Sequence, residues 1–294
     1  MKKTVKYSID KLKIEFQDLR DTDVQMFLDK LEKGSLDSEY TSFYTSSQMS
    51  KCKYNYIYGS GDGAIYLGVV PNWKKEEKHT KSIVLEYNPN KACPMMSNVF
   101  DWLFKTNKVS WHVMSVDIAA DMSLEYSNIV MLKRDKREEF HNIGHSAIET
   151  RYLGALGHGH IKLYDKAKEQ KLKGVNWSRF EITLKEKNTL APTLECFSET
   201  CKIPKLYSQN VQLSFNNLND IDNLALIAII SDINLLYTVK RYETRKKLEK
   251  ALHDCLEVIP LDIKSMYQTY VNFFRSLGEA DIELTNNSVL WKTI

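Results

Sequence analysis

Ile161-Lys162-Leu163-Tyr164-Asp165-Lys166 is the stretch that decides the fold, together with Trp177-Ser178-Arg179-Phe180-Glu181-Ile182-Thr183-Leu184-Lys185. Both stretches alternate apolar and polar residues, which is the period of a β-strand with one buried face. The polar residues of each stretch would share the face opposite the core. They are Lys162, Tyr164, Lys166, Arg179, Glu181, Thr183 and Lys185. The pattern predicts two half-buried strands whose open face carries a tyrosine, a carboxylate and several cations.

Similar patterns extend this sheet along the chain. A hairpin signal lies within 40–70, where a glycine-rich break at 59–63 separates β-prone residues. Alternation predicts further strands over about 7–16, 82–88, 111–121 and 148–156. The last of these would form a hairpin with a strand over 160–166. Most neighbours in such a sheet would be antiparallel.

Helical signals surround the strands and then replace them. Asp21-Thr22-Asp23 precedes apolar residues spaced for one helix face, and Gly34 would end that helix. Residues 98–105 predict a second helix, and from about residue 215 the period becomes helical throughout. We therefore predict an α+β fold. Residues 1–200 would form a mostly antiparallel central sheet with flanking helices, and 201–294 a helical C-terminal region.

Composition narrows the class of protein. The 294 residues include 41 Lys and Arg against 38 Asp and Glu, and a net charge of +3 identifies no partner by itself. Five cysteines without paired spacing argue against a disulfide framework or a zinc site and indicate free thiols in a reducing cytoplasm. The start lacks the apolar segment of a signal peptide, and the apolar run at 224–237 is too short to span a bilayer. We expect a cytoplasmic protein without a membrane segment.

Carboxylates recur inside the strand patterns, where they are uncommon. Glu86, Asp117 and Glu181 each interrupt a β-prone run, and alternation places Asp121 on the same face as Asp117. Exposed charges on the solvent face of an antiparallel sheet would explain any one of them. Taken together with a tyrosine and lysines, they could hold a divalent metal ion against a phosphodiester.

The same segments resemble the Rep_trans replication initiation factors, the rolling-circle plasmid initiators of Gram-positive bacteria. The core of that family reads roughly Tyr-aromatic/Leu-Gly, then Ile-Arg/Lys-Ile/Leu-Tyr-Asn/Asp-Lys, then Trp-x-Arg-x-Glu-Ile-x-Leu-Lys. This chain has Tyr152-Leu153-Gly154 and then the two stretches quoted above, in that order. Residues 84–91 and 116–121 also match, so the resemblance covers about 80–190 well and the region after 215 loosely.

The resemblance implies an activity and its residues. Such a protein would be a bacterial enzyme that nicks and recloses DNA at a plasmid or phage replication origin by tyrosine transesterification, through a 5′-phosphotyrosine intermediate. The tyrosine of the Ile/Leu-Tyr-Asn/Asp-Lys motif is Tyr164, and Tyr152 is its rival. Acidic metal ligands would be Glu86, Asp117 and Glu181, with Asp121 a further candidate. Oxygen ligands alone favour Mg²⁺ or Mn²⁺.

Basic residues suggest where DNA would lie. Segments 133–187 and 240–250 hold more Lys and Arg than Asp and Glu, which suits a polyanion, although a solvated helix face would explain the second segment equally well. Phosphate contacts are predicted for Lys162, Lys166, Lys168, Arg179 and Lys185. The family resemblance places duplex origin recognition in the C-terminal region, and the candidates there are Arg241, Thr244, Arg245, Lys246 and Lys247. It also implies a homodimer, a hairpin or single-stranded nick site, and a host helicase as partner.

Other interpretations stay open from sequence alone. A relaxase of an integrative conjugative element would use the same chemistry; many carry an extra N-terminal domain, for which a first strand at residue 7 leaves no room. A non-catalytic origin-binding regulator would bind DNA without an adduct, and a metal nuclease would use water. His158 and His160 could suggest a metal pair, but glycine separates them at a hairpin tip, so a DNA-contacting loop or no role is favoured.

Overall fold

The computed structural model describes a series of segments along the chain. The described residues are 5–32, 44–45, 56–58, 63–71, 80–91, 111–132, 136–143, 148–154, 160–185, 197–198, 201–208, 218–231, 234–276, 281–285 and 288–292. The predicted helix over 98–105 and most of the glycine break at 59–63 lie outside them. None of the helices in these ranges is long and apolar enough to cross a membrane.

Strands make up most of the described chain. In chain order they are β1 (Val5–Arg20), β2 (Tyr44–Thr45), β3 (Tyr56–Tyr58), β4 (Ile65–Pro71), β5 (Thr80–Tyr87), β6 (Trp111–Met122), β7 (Ile129–Leu132), β8 (Glu139–Ile143), β9 (Ile148–Leu153), β10 (Ile161–Asp165), β11 (Ser178–Lys185), β12 (Lys205–Ser208), β13 (Glu257–Ile259), β14 (Asp281–Thr285) and β15 (Ser288–Lys292). The helices are α1 (Asp21–Glu32), α2 (Lys166–Glu169), α3 (Asp220–Ser231), α4 (Asn234–Thr238), α5 (Tyr242–Cys255) and α6 (Ile263–Ser276).

These strands form one large and one small sheet. The large sheet has the order β2-β3-β4-β5-β1-β6-β11-β10-β9-β8, with the β14–β15 hairpin also attached to β6. The small sheet has the order β13-β12-β7, and the registered pairs in both sheets are antiparallel. The fold is therefore α+β with a large antiparallel sheet and several helices, as the alternation predicts. Strands β1, β6, β11 and β10 are neighbours in this order and carry most of the residues considered below.

The apolar alternation of strand β1 shifts by one residue partway along the strand. Its apolar residues fall at odd positions up to Ile9 and at even positions from Leu12 to Phe16. The register against β6 shifts between Ile9 and Lys11, which is where a bulge inserts Asp10. A bulge re-aims the side chain of the extra residue. The bulge keeps both halves of β1 facing the core and frees Asp10 for the opposite side of the sheet.

One face of the large sheet carries the main core. Leu12, Ile118, Leu163 and Phe180 are buried there and belong to one apolar cluster. Helix α6 packs on β1 and contributes Met266 and Tyr270 to that cluster. Because the apolar residues of each central strand point into this core, the polar residues of the same strands are forced onto the other face.

A second apolar cluster lies between the small sheet and helices α3, α4 and α5. It includes Val130 from β7, Tyr207 from β12, and Leu226, Leu248 and Leu252 from the helices. Strand β12 pairs with β7, so the chain after residue 201 is joined to residues 129–132 by backbone hydrogen bonds. The small sheet therefore covers the apolar faces of α3, α4 and α5, which would otherwise be exposed to solvent.

The C-terminal region is not helical throughout. Strand β13 lies between α5 and α6, and the β14–β15 hairpin follows α6. Strand β13 has three residues and precedes Pro260, so it is too short to show a period of two. It forms because β12 offers an edge with unpaired backbone groups, which is a tertiary effect that local sequence does not carry.

Candidate active site

Register brings the predicted residues onto one face of the large sheet. Tyr164 lies opposite Arg179, and Lys162 lies opposite Glu181. Directly opposed residues of an antiparallel ladder point to the same side. The β11–β6 register places Asp117 opposite Thr183 and Asp121 opposite Arg179. The β1–β5 register places Glu86 opposite Lys13, which in turn lies opposite Ser115. All of the predicted site residues on these strands therefore share the face that is turned away from the core.

Tyr164 and Glu181 are hydrogen bonded on that face. The phenol hydroxyl of Tyr164 donates to Oε1 of Glu181 at 2.5 Å. Burial raises the pKa of Tyr164 well above its ordinary value, and the nearby Glu181 carboxylate raises it further. Tyr164 is therefore protonated in this structure, and its proton points at an acceptor. An acceptor placed in this way can take the proton when the phenol oxygen attacks an electrophile.

Lys162 lies between the two most buried carboxylates of the site. Its ammonium group donates to Oε2 of Glu181 at 2.9 Å and to Oδ2 of Asp117 at 3.3 Å. Asp117 is 6% exposed and Glu181 2% exposed. Burial alone would lower the pKa of Lys162, but the two carboxylates outweigh it and raise that pKa. The two carboxylates thus converge on one cationic position.

Glu181 itself is easier to protonate than an exposed glutamate. Burial raises the pKa of Glu181 above its ordinary value, and Lys162 opposes that effect only in part. The side chain uses its two oxygens differently, since Oε1 accepts from Tyr164 and Oε2 from Lys162. A carboxylate of raised pKa that is already bonded to a phenol is suited to accept the phenol proton.

Arg179 organises the other end of the site. Its guanidinium binds Asp121 through Nε and Nη2 at 2.7 and 2.8 Å, and Nη1 binds Asp10 at 2.5 Å. The indole Nε1 of Trp177 also donates to Asp121 at 2.7 Å. Burial would raise the pKa of Asp10, but Arg179 outweighs burial and lowers it. The carboxylates of Asp121 and Asp10 therefore hold the Arg179 guanidinium beside Glu181.

Asp10 is the site residue that sequence reasoning missed. Its position within β1 looks like an ordinary polar residue of an alternating strand. The available signal was the change of apolar positions from odd to even between Ile9 and Leu12, which indicates a bulge at Asp10–Lys11.

Glu86 has a separate partner. It forms an ion pair with Lys11, the register partner of Asp117. Within the described parts of the chain, no group of three or more His, Cys, Asp or Glu side chains is placed to hold a metal ion. The structure thus brings Asp117 and Glu181 together on Lys162, and it places Glu86 and Asp121 with other cations.

The predicted DNA-contacting lysines lie at different distances from Tyr164. Lys166 is only 4% exposed; its ammonium group lies 3.5 Å from the Tyr164 hydroxyl and forms an ion pair with Glu169. Lys168 is exposed and lines the cavity in front of Tyr164. Lys185 lies opposite Ser115, farther along β11.

An open cavity of about 450 Å³ gives access to Tyr164. The described residues that line it include Thr150, Tyr152, Lys162, Lys168 and Glu181. Tyr152 lies opposite Lys162 in the β9–β10 register, so it occupies the same face as Tyr164. The structure thus keeps both tyrosines near the cavity, but the short hydrogen bond to Glu181 belongs to Tyr164.

His160 is buried beside this site and His158 lies outside the described residues. His160 is 8% exposed, and neither imidazole nitrogen has a hydrogen-bond partner in the described part of the chain. Its ring lies 6.2 Å from that of Tyr152, measured between centroids. Burial lowers the pKa of His160 to about 4, and the Lys162 charge contributes. His160 is therefore neutral at physiological pH.

The buried His160 predicts a stability loss in mild acid. Its pKa in the folded state is below the ordinary histidine value of about 6.5. As pH falls from about 6.5 towards about 4, the unfolded chain binds a proton that the folded chain does not, so the folded state loses stability. Between pH 7 and pH 4.5 the wild type should lose about 2 kcal/mol more unfolding free energy than His160→Phe. Urea unfolding at both pH values measures this difference, and equal losses in the two proteins would contradict it.

The predicted duplex-reading residues lie at the start of α5. Arg241 precedes the helix, Arg245 lies over the ring of Tyr242, and Lys247 forms an ion pair with Asp222 of α3 at 2.6 Å. Arg241 and Lys246 are exposed, and Thr244 is half-buried. The segment is the basic start of a helix that packs on the second apolar cluster, whereas Tyr164 lies on the large sheet.

Removing Arg179 should destabilise the fold strongly. Arg179→Met leaves Asp10 and Asp121 without their guanidinium in a largely buried site, and the expected loss is about 3 kcal/mol of unfolding free energy. Arg20→Met is the matched control, because Arg20 binds Asp23 at 2.8 Å with a side chain that is 77% exposed. That exposed pair should contribute little to the unfolding free energy, because solvent screens it. Denaturant unfolding compares the two, and equal losses would show that Arg179 is not an anchor.

Among known proteins, the chain matches solved structures only. No family model matches the chain, and no curated protein matches it. Among solved structures, the chain is similar to a rolling circle replication initiator protein from Geobacillus stearothermophilus, with a TM-score of 0.37 and 13% sequence identity. That alignment covers 93% of this chain and 97% of the other.

Proposed function

We propose that this protein cuts and rejoins one DNA strand through Tyr164 and thereby initiates rolling-circle replication. The observation that carries the proposal is the Tyr164 hydroxyl, which donates to Glu181 at 2.5 Å at the wall of a cavity whose lining includes Lys162 and Lys168. A nucleophile, its proton acceptor and cations for a phosphate are the parts that phosphoryl transfer to a side chain needs. The sequence resemblance to Rep_trans initiators supports the choice of DNA as substrate.

The proposed reaction exchanges one phosphodiester bond for another and needs no cofactor that supplies energy. The Tyr164 oxygen forms a bond to phosphorus as its proton passes to Oε1 of Glu181. The bond from phosphorus to the 3′ oxygen breaks, and that oxygen takes up a proton from solvent water as it leaves. The product is a 5′-phosphotyrosine diester, which keeps the energy of the broken bond, so the reverse reaction can reseal the strand.

Two lysine side chains would stabilise negative charge on the reacting phosphate group. Lys166 lies 3.5 Å from the attacking oxygen and is held by Glu169, so it can balance negative charge on that oxygen. Lys168 lines the same cavity and is exposed. A phosphate entering this cavity would therefore meet positive charge on the side of α2.

The donor set also fits a divalent cation of the Mg²⁺ or Mn²⁺ kind. Asp117 and Oε2 of Glu181 already converge on one cationic group, the Lys162 ammonium. Magnesium commonly uses one or two carboxylates and completes its shell with water and substrate phosphate. When bound, such an ion would neutralise charge on the phosphate under attack. Asp117 and Glu181 would hold it, with Lys162 moving aside, while Oε1 of Glu181 stays with Tyr164.

The remaining parts of the proposal rest on the resemblance. Arg241, Thr244, Arg245, Lys246 and Lys247 would contact the duplex origin, and the nick site would be a hairpin or single strand. A homodimer and a host helicase would complete the initiation complex in the bacterial cytoplasm. A relaxase of an integrative conjugative element would use the same chemistry at a transfer origin.

One gel experiment separates the classes of function. The protein is incubated with hairpin oligonucleotides from its own replicon, labelled at the 5′ or the 3′ end, with and without Mn²⁺. The proposal predicts a covalent band on a denaturing gel that carries only the 3′-labelled fragment. Cutting without a covalent band would indicate a nuclease that uses water. Binding on a native gel without any cutting would indicate a non-catalytic regulator.

A further inference from the structure

A second cavity lies beside the one in front of Tyr164. Its volume is about 360 Å³, and the described residues that line it are all polar. They include Asp10, Asn88, Lys91, Lys166, Glu169 and Lys171. Glu169 lines both cavities, and Lys166 reaches from this second cavity to within 3.5 Å of the Tyr164 hydroxyl. The two cavities are therefore neighbours, and α2 forms the wall between them.

The charges of this cavity favour an anion. Its two acids already have cationic partners, since Asp10 binds Arg179 and Glu169 binds Lys166. Lys91 and Lys171 add two further positive charges to the wall. A polar cavity with a surplus of lysines suits a phosphate group better than an apolar ligand.

The wall is also held in place by its own hydrogen bonds. The turn at 88–91 is fixed to β1, because Asn90 Nδ2 donates to the Ile9 carbonyl at 2.5 Å and Asn88 Nδ2 donates to Asp10 at 3.2 Å. Lys91 N donates to the Asn88 carbonyl at 3.0 Å. The cavity therefore has a preformed shape, which lowers the ordering cost of binding.

Lys171 occupies a backbone position that disfavours lysine. Its φ is 55°, in the left-handed region, and its N–H closes the end of α2 by donating to the Lys168 carbonyl. Glycine is the usual residue at such a helix end, because a Cβ atom is strained there. A lysine at this position keeps a positive charge at the cavity at the expense of backbone strain.

We propose that this second cavity binds the phosphate next to the scissile one in a single DNA strand. The proposal rests on the proposed function, in which the scissile phosphate lies in the first cavity. Lys166 would then stand between two consecutive phosphates, with Lys91 and Lys171 on the far one. The strand would be positioned by backbone contacts, which carry no base preference.

The test is the salt dependence of binding to a fluorescent single-stranded oligonucleotide, measured by anisotropy on the full chain carrying Tyr164→Phe to prevent cutting. Lys171→Gly should weaken binding and reduce the slope of log affinity against log salt by about 0.7, the value of one lost phosphate contact. Lys91→Ala should act in the same direction. Lys173→Gly is the matched control; it removes the same charge from the same exposed turn, outside both cavities, and should leave the slope unchanged.

A loss of folding would not explain weaker binding by Lys171→Gly. Because glycine relieves the positive φ, Lys171→Gly should unfold at the parent temperature or above it while binding more weakly. An unchanged slope in Lys171→Gly, or an equal loss in Lys173→Gly, would overturn the second phosphate site while leaving the proposed function intact. A parent protein that does not bind single strands at all would overturn the proposed function and this site with it.

Discussion

Tyr164→Phe is expected to abolish the covalent protein–DNA adduct, with adduct formation reduced at least about 10³-fold. The change removes the attacking oxygen and leaves the ring, so its packing beside Lys166 is retained. The lost hydrogen bond to Glu181 should change stability by only about 1 kcal/mol. The measurement is the rate of adduct appearance on denaturing gels under single-turnover conditions.

Tyr152→Phe is the matched control for that change. Tyr152 lines the same cavity on the same face, and the same single oxygen is removed. Its adduct rate should stay within a few-fold of the wild type, because Tyr164 and its acceptor are intact. The opposite pattern, with Tyr152→Phe inactive and Tyr164→Phe active, would mean that the chemistry is right and the assigned nucleophile is wrong.

Glu181→Gln is expected to give the second large effect. An amide of nearly the same shape cannot accept the phenol proton as the carboxylate does, so adduct formation should fall by about 10²- to 10⁴-fold at saturating Mn²⁺. The fold should survive, because Lys162 keeps Asp117 as a partner. Single-turnover adduct rates over a Mn²⁺ series measure the loss.

Asp117→Asn separates proton transfer from metal binding. Asp117 shares Lys162 with Glu181, but the Tyr164 hydroxyl donates to Glu181, so replacing Asp117 should mainly raise the Mn²⁺ concentration needed for half-maximal rate. Glu181→Gln should in addition lower the rate at saturating Mn²⁺. If enough Mn²⁺ restored Glu181→Gln to the wild-type rate, Glu181 would be a metal ligand only and not the proton acceptor.

The face of the sheet that carries the site was predictable from sequence because alternation is a local property. Ile161 and Leu163 define the buried side of β10, and Phe180 and Ile182 that of β11. Once these apolar residues face the core, Tyr164 and Glu181 must share the opposite side of the sheet. The alternation also predicts that this side of β11 is open, whereas the structure buries Arg179 and Glu181 there. The pairing that brings them within hydrogen-bond distance is a matter of register, which strand patterns alone do not fix.

The partners of the charged residues were beyond local sequence reasoning. Predicted as possible metal ligands, Asp121 and Glu86 lie in ion pairs with Arg179 and Lys11, and Lys162 lies between Asp117 and Glu181. These contacts join strands far apart in the chain, so no spacing rule reports them. The roles of these four carboxylates in metal binding stay predictions.

In the C-terminal region, too, local sequence predicts some elements and misses one that depends on a distant partner. Helical periodicity correctly predicts α5 and α6, because Leu248, Leu252, Met266 and Tyr270 lie on buried faces. It does not predict β13, which exists only because β12 provides an edge. Short strands that depend on a distant partner carry little signal of their own.

The most direct test of the central claim is the position of the nucleotide on the protein. The wild type is trapped on a hairpin oligonucleotide, digested with nuclease and trypsin, and analysed by mass spectrometry. Cleavage after Arg151, Lys162 and Lys166 separates the two tyrosines, with Tyr152 in peptide 152–162 and Tyr164 in peptide 163–166. Nucleotide mass on Tyr164 in peptide 163–166 is the predicted result. Nucleotide mass on peptide 152–162, or on neither peptide, would contradict the account.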